Sequence, residues 1–337
     1  MKRLLYRGLA PLAVTILSAS DASAQSRGYA ITPLDPSSPG SDWYTTESLD
    51  LRGKLRPQVG LLVDWSYAPL VAEEGGLPRR VITDRIDVHG RASVVVRSRV
   101  RLGVSSPLTI YQHGDRGATA PDRGQAPGDL RLDADVRLAG TYGDALRCAG
   151  GLALFAPLGR RELFTSDGTF RIAPRILLAG DAKALAWAVK LAYHVRPFDG
   201  VWEGRALGDQ IAAAFSAGVK VNDRFVMGPE LHGAATVSGP DALTARAIPI
   251  EAMMGGRVRL GDDFQLGSAI GGRITDGDGG AKMRVLAVLE YAPDVCVDKD
   301  GDGICAYEDA CPLLDGPRTH DRRTNGCPPP LPPPLTD

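Results

Sequence analysis

The residues best equipped for chemistry lie near the end of the chain. Asp298-Lys-Asp300-Gly-Asp302-Gly303-Ile304-Cys305 sets carboxylates at alternate positions and a glycine at the sixth, and Asp309 falls at the twelfth. Oxygen ligands at that spacing, on a loop that a glycine allows to turn sharply, wrap a hard cation such as Ca2+. Four cysteines crowd the same region, Cys296, Cys305, Cys311 and Cys327, while Cys148 stands alone. Two bridges in a small module are expected there. Three connectivities are open, of which Cys296 with Cys305 and Cys311 with Cys327 is preferred, leaving Cys148 a free thiol.

A second set of charged residues is spread between positions 128 and 285. Arg131, Arg137, Arg147, Arg171, Arg175, Lys190, Arg257 and Arg284 share one parity of their segments with Asp129, Asp133, Asp135, Glu230 and Glu251. The other parity is apolar, as in Leu130, Leu132, Ala134, Val136 and Leu138, or Leu185, Trp187, Val189, Leu191, Tyr193 and Val195. Period two of this kind makes a strand with one greasy and one ionic face. Arg or Lys on a lipid face costs about 2–4 kcal/mol at the bilayer midplane, so the charged parity must face a lumen, where Arg–carboxylate pairs balance it.

The elements that carry these residues number about twelve between 57 and 292, each roughly 11 to 16 residues, longer than the strands of soluble domains. At about 3.3 Å per residue and a tilt near 40°, they rise about 25–35 Å, enough to cross a hydrocarbon layer. The predicted connections alternate: long at 70–81, 112–127, 157–168, 197–206, 238–245 and 275–280, and short at 98, 140–144, 180–182, 222–223 and 261–262. Outer-membrane barrels have this asymmetry, with tight periplasmic turns and longer outer loops. The expected fold is therefore an all-β, antiparallel, up-and-down transmembrane barrel of about 12 strands.

Composition narrows the function. The 337 residues carry a net charge of -1, which removes the electrostatic reason to expect a nucleic-acid partner. Mean hydropathy is -0.09 and no apolar run approaches about 20 residues, so helical membrane spans are excluded. Lys2, Arg3 and Arg7, the apolar stretch from Leu9 to Leu17, and Ala22-Ser23-Ala24 form an export signal that predicts a mature chain from Gln25. His89, His194 and His232 fall on the inward parity without a nucleophile beside them, and read as satisfied lumen groups rather than catalytic ones. The glycines at 271–272 and 277–280 lack the strand-to-helix setting of a phosphate loop. No enzyme is expected.

The string Asp298 to Pro312, with its Cys311-Pro312, resembles a type 3 thrombospondin repeat. The resemblance implies that Asp298, Asp300, Asp302 and Asp309 supply carboxylate oxygens to Ca2+, and Ile304 its backbone carbonyl. With that repeat, Leu34 to Trp43, Leu108 to Gln112, Gly128-Asp-Leu-Arg131 and Met283-Arg-Val-Leu286 are together similar to OmpA-family outer-membrane proteins of the myxobacterial type. Leu289-x-Tyr291 looks like the assembly signal of such strands. Those relatives continue into a peptidoglycan-binding domain, for which this chain offers only a Pro-rich stretch. The resulting expectation is a signal peptide at 1–24, a Pro/Ser-rich N-terminal segment at 25–54 that lies in the periplasm or caps the lumen, an outer-membrane barrel at 55–292, a calcium-binding repeat at 293–327 and a Pro-rich periplasmic tail at 328–337. Expected partners are outer-membrane lipid, lipopolysaccharide at loop arginines such as Arg79-Arg80 and Arg160-Arg161, and other envelope proteins through the tail. The expected role is structural or envelope-interacting, with a porin-like channel for small polar solutes as the alternative.

Overall fold

Strict alternation leaves a strand no way to hide its apolar parity inside a narrow cylinder already filled by charged side chains, and the fold resolves this by turning the apolar parity outward. The computed structural model describes residues 28–31, 34–74, 76–115, 124–197, 201–202, 205–221, 224–295, 300, 302, 304, 309–321 and 323–329. Twelve strands close on themselves: β1 Leu55–Glu74, β2 Leu77–Val96, β3 Val100–His113, β4 Leu130–Ala139, β5 Arg147–Ala156, β6 Arg171–Ala182, β7 Leu185–His194, β8 Gln210–Val221, β9 Phe225–Thr236, β10 Ile250–Leu260, β11 Phe264–Arg273 and β12 Met283–Tyr291. Each pairs antiparallel with its neighbours in sequence, and β12 returns to β1, with Val59 opposite Tyr291 and Tyr67 opposite Met283. The two residues Ala126–Pro127 also pair with β3, as a short lead-in to β4. Closure leaves no sheet edge to protect.

The wall is inverted relative to a soluble protein. On β4, Leu132 is 44% exposed while Asp135 is wholly buried. On β6, Ile172 and Ile176 face outward, and Arg171 and Arg175 face inward. Trp65, Trp187 and Tyr193 stand on the outer face, joined by Tyr111, Phe215, Phe225, Phe264 and Tyr291. An apolar outer wall with aromatic residues is what a bilayer requires of a barrel. This gives a first prediction. Ile176→Arg should cost about 2–4 kcal/mol in urea unfolding from lipid vesicles, as Arg does at mid-height on a lipid face. A loss under about 0.5 kcal/mol, normal for a water-exposed surface position, would contradict the membrane-facing wall.

At one end the turns are tight. In the three-residue connection 97–99 Arg97 and Ser98 both take positive φ, 50° and 52°, and Gly261, which opens the three-residue connection 261–263, does the same at 63°. The turn at 222–223 lies outside the described residues. The opposite end carries the longer connections, with one correction. The stretch 70–81, expected as a long loop, continues the β1–β2 hairpin to Glu74 opposite Leu77. Ala68, at φ 47°, and a register shift between Tyr67 and Leu70 form a bulge that lodges Pro69 without ending the pairing. Above that bulge the inward row changes from polar to apolar, with Ala68, Leu70 and Ala72 buried, so the alternation of charge that marks a strand elsewhere is lost.

The N-terminal segment occupies the interior. Residues 28–31 and 34–54, expected in the periplasm or capping the lumen, run through the inside of the cylinder. Tyr29 and Ile31 pack with Phe164, Leu70, Val81 and Ile82 near the long-loop end. Leu34 and Tyr44 pack on Leu62, Met253, Leu286 and Val288, and Trp43 and Leu49 on Leu177, Ala179 and Ala188. The segment then joins β1 at the tight-turn end. Residues 1–24 and the mature start at Gln25 lie outside the described residues.

Candidate functional site

The inward row of each strand builds a lumen of ion pairs. Asp135 receives Arg101 at 2.6 Å and Arg175 at 2.8 Å, and Asp133 receives Arg131 at 2.9 Å and Arg175 at 3.0 Å. Arg171 pairs with Asp129 at 2.9 Å, Arg257 with Glu290 at 3.0 Å, and Arg284 with Glu251 at 2.7 Å as well as with Asp64. These groups are buried, as are Arg147 and Lys190. Arg137 sits half-buried where β4 ends, at the tight turns, and its backbone N–H donates to the Arg99 carbonyl. Planar guanidiniums shared between two carboxylates are well suited to hold neighbouring strands in one register.

Wall charge does not balance itself. Among the described residues from 55 onward, twelve buried Arg and Lys face nine buried Asp and Glu. The N-terminal segment supplies the missing acid: from Leu34 to Asp50 it carries Asp35, Asp42, Glu47 and Asp50 and no basic residue. Arg131 pairs with Asp35, and the Lys190 ammonium donates to the Asp35 carboxylate at 2.9 Å. Arg101 reaches Glu47 at 2.8 Å, Lys220 reaches Asp42 at 3.5 Å, and Arg56 reaches Asp50 at 3.0 Å. Asp35 is thus an anchor shared by a guanidinium and an ammonium.

The wall also grips the segment's backbone. Glu230 accepts from the Tyr44 N–H at 2.8 Å, the Thr45 N–H at 3.0 Å and the Thr45 hydroxyl at 2.8 Å. Glu290 accepts from the Gly40 N–H at 2.7 Å, Arg91 donates to the Ser37 carbonyl at 2.6 Å, and Arg257 donates to the Trp43 carbonyl at 2.8 Å. The Tyr44 hydroxyl bonds the Gly256 carbonyl at 2.9 Å, in the space left by glycines at 255 and 267, where an added Cβ would meet the Tyr44 ring or hydroxyl. At the long-loop mouth the loop after β5 folds inward, and Asp167 accepts from the Ala30 N–H at 2.9 Å. A coil with unpaired backbone groups is tolerated in a lumen only when the wall satisfies them. Here the wall and the segment's own serines and turns share that task, and the segment fills the lumen as a plug would.

Above the plug's middle a cavity of about 70 Å³ remains, lined by Asp35, Arg85, Arg131, Arg171, Phe155 and His194 among others. Its surface mixes guanidiniums with rings, and Arg171 lies over Phe155 at 4.6 Å. Sequence reasoning put Arg131, Asp133, Asp135, Arg137, Arg171, Arg175, Glu230, Glu251 and Arg257 in the lumen, and all but the half-buried Arg137 are buried there. It did not single out Asp35, Glu47, Arg91 or Glu290, which tie the plug to the wall. The signal was the surplus of inward arginine facing an acidic N-terminal stretch.

The C-terminal carboxylates also meet. Asp300, Asp302 and Asp309 each place an oxygen within 4.8 Å of the others. Among the described residues the Asp300 oxygens have no side-chain hydrogen-bond partner, and Asp302 accepts from the Ile304 N–H at 2.7 Å. Such carboxylate oxygens beside two further carboxylates fit a hard cation. Ile304 is buried. Asp298 and the pair Cys296 and Cys305 lie outside the described residues. Cys311 and Cys327 are joined in a disulfide, with Cα atoms 5.0 Å apart, and Cys148 is a free thiol.

No family model matches this chain, and no curated protein does. Among solved structures it is similar to an outer membrane channel from Pseudomonas putida F1, with a TM-score of 0.54 and 13% identity over 76% of this chain and 99% of that one. The NanC porin follows at a TM-score of 0.48, with 10% identity over 70% and 100%. The toluene transporter TodX of Pseudomonas putida gives 0.41, with 11% identity over 80% and 98%. At such identities the likeness speaks for fold, and the chain has the fold of outer-membrane β-barrel channels.

Proposed function

We propose that the protein is an outer-membrane channel for small polar solutes, preferring anions, that its own N-terminal segment holds shut. The observation that carries this is the division of labour in the lumen. The wall pairs most of its charges strand to strand, and what obstructs the passage is a separate coil bound through side chains and caps. A barrel serving only as an anchor is more simply closed by its own inward side chains. The surplus of arginine left when the plug moves favours anions, because a lumen lined by one sign of charge concentrates the opposite sign. The known structures of this fold include an outer membrane channel, which supports the same reading. The experiment is planar-bilayer conductance on the full chain and on a chain lacking residues 34–48.

The remaining expectations stand as parts of the proposal. The C-terminal segment after β12 reads as a calcium-binding, thrombospondin-type repeat in the periplasm, on a protein resembling the OmpA-family type, and Asp300, Asp302 and Asp309 would hold the ion. Calorimetry of the full chain should show one Ca2+ bound at millimolar concentration or tighter, and Asp300→Asn should abolish it. Binding unchanged by Asp300→Asn would retire the assignment. Outer-loop arginines meeting lipopolysaccharide, and the Pro-rich tail meeting other envelope proteins, complete the reading.

A further inference from the structure

We propose that Asp64, Asp87 and His89 form a site inside the lumen wall for a divalent first-row transition-metal ion of the zinc class. The three residues stand on β1 and β2 and are 3%, 8% and 6% exposed. Asp64 lies directly opposite Asp87 in the register, and His89 lies opposite Leu62, one inward position along. Like charges directly opposed on neighbouring strands repel, so such a pair persists only where cations hold it. Arg85 donates to Asp87 at 2.8 Å and Arg284 pairs with Asp64, which meets part of that need.

Ligand atoms are left over. Asp64 Oδ1 and His89 Nε2 are both buried without a hydrogen-bond partner. One atom from each of Asp64, Asp87 and His89 lies within 4.8 Å of the other two. The histidine expected to be a satisfied lumen group is thus unsatisfied at Nε2, and one of its ring nitrogens lies near two carboxylates. A buried imidazole nitrogen without a partner is rare in folded proteins and calls for an explanation, of which an absent ion is one. Counted locally, Asp64, Asp87 and Glu251 stand against Arg85, Arg91 and Arg284, so the surroundings of the site are neutral overall.

The donor set selects the ion. One imidazole nitrogen with two carboxylate oxygens suits Zn2+ and its first-row neighbours, whereas Ca2+ takes six to eight oxygens. A cavity of about 30 Å³ adjoins the three side chains, lined by Ser66, Pro107, Arg284, Ile31 and Leu34. It has room for a water as the fourth ligand. His89 and Arg85 also line the larger chamber, which gives the ion a way in. Bound there, the ion would lie beside Ile31 and Leu34 of the plug.

The test is Zn2+ titration of the folded full chain in detergent, followed by calorimetry, with heat-modifiable migration as the check that each variant is folded. Wild type and Asp302→Asn, whose change lies in the C-terminal cluster, should each bind one Zn2+ in the lumen. His89→Gln and Asp64→Asn should each weaken that binding by about tenfold or more. Absence of zinc binding at millimolar Zn2+, equal affinity in folded His89→Gln, or loss of zinc only in Asp302→Asn would each overturn the site.

Discussion

Removing residues 34–48 should turn a nearly silent protein into a conducting one. In planar bilayers the full chain is expected to give small, infrequent steps, and the shortened chain steady steps about tenfold larger or more, as a water-filled polar lumen allows. The shortened barrel should still fold, because the wall pairs that define it do not use the plug. Arg101 keeps Asp135, Arg131 keeps Asp133, and Arg257 and Arg91 keep Glu290. Groups that lose a plug partner, such as Lys190 and its contact to Asp35, gain water instead of an empty cavity. The wall's arginine surplus predicts a reversal potential displaced toward that of the anion in a salt gradient. Equal conductance from the two folded chains would defeat the plug, and silence from both would defeat the channel.

The larger effect on stability should come from Arg284. Its guanidinium joins Asp64 on β1 to Glu251 on β10 along the inner face of the wall, with contacts to Glu251 of 2.7 and 3.0 Å. Arg284→Ala leaves two buried carboxylates facing each other and His232, which lies 3.6 Å from Glu251. Breaking a buried pair by removing one partner typically costs about 3–5 kcal/mol, since the charge left behind is uncompensated. Urea unfolding from vesicles should show that loss, while Arg273→Ala, whose partner Asp276 is 89% exposed, should change stability by about 1 kcal/mol or less. Equal effects would mean that water reaches Arg284 freely.

Much of the wall was legible because its chemistry repeats every second residue. From Leu130 to Leu138, charge and grease alternate without a break, and the strand could be placed almost to the residue. Legibility failed where that contrast failed. Around Ala68-Pro69 the inward row turns apolar and Pro69 mimics a strand end, so a hairpin of two 20-residue strands was read as strand, loop and strand. The plug has no period at all. Its backbone bonds are divided between side chains of the wall, such as Glu230, Glu290 and Arg257, and its own turns and serines, and neither leaves a period along the sequence. What it did leave is a charge ledger: Asp35, Asp42, Glu47 and Asp50 in one stretch, opposite a wall with too much arginine. The metal-ligating triad of β1 and β2 was hidden for a different reason, since Asp64 and His89 meet only through strand register.

The acidic segment inside the basic cylinder is the claim on which the rest depends, and a single cross-link reaches it. The hydroxyls of Thr46 on the plug and Ser216 on β8 lie 2.7 Å apart, both fully buried at the heart of the lumen. In the double variant Thr46→Cys with Ser216→Cys, folded in lipid, oxidation should form one intramolecular disulfide, seen as a reduction-sensitive shift in migration, and the oxidised barrel should stay closed in the bilayer. If both thiols in the folded barrel remain open to alkylation after oxidation, the segment does not lie in the lumen.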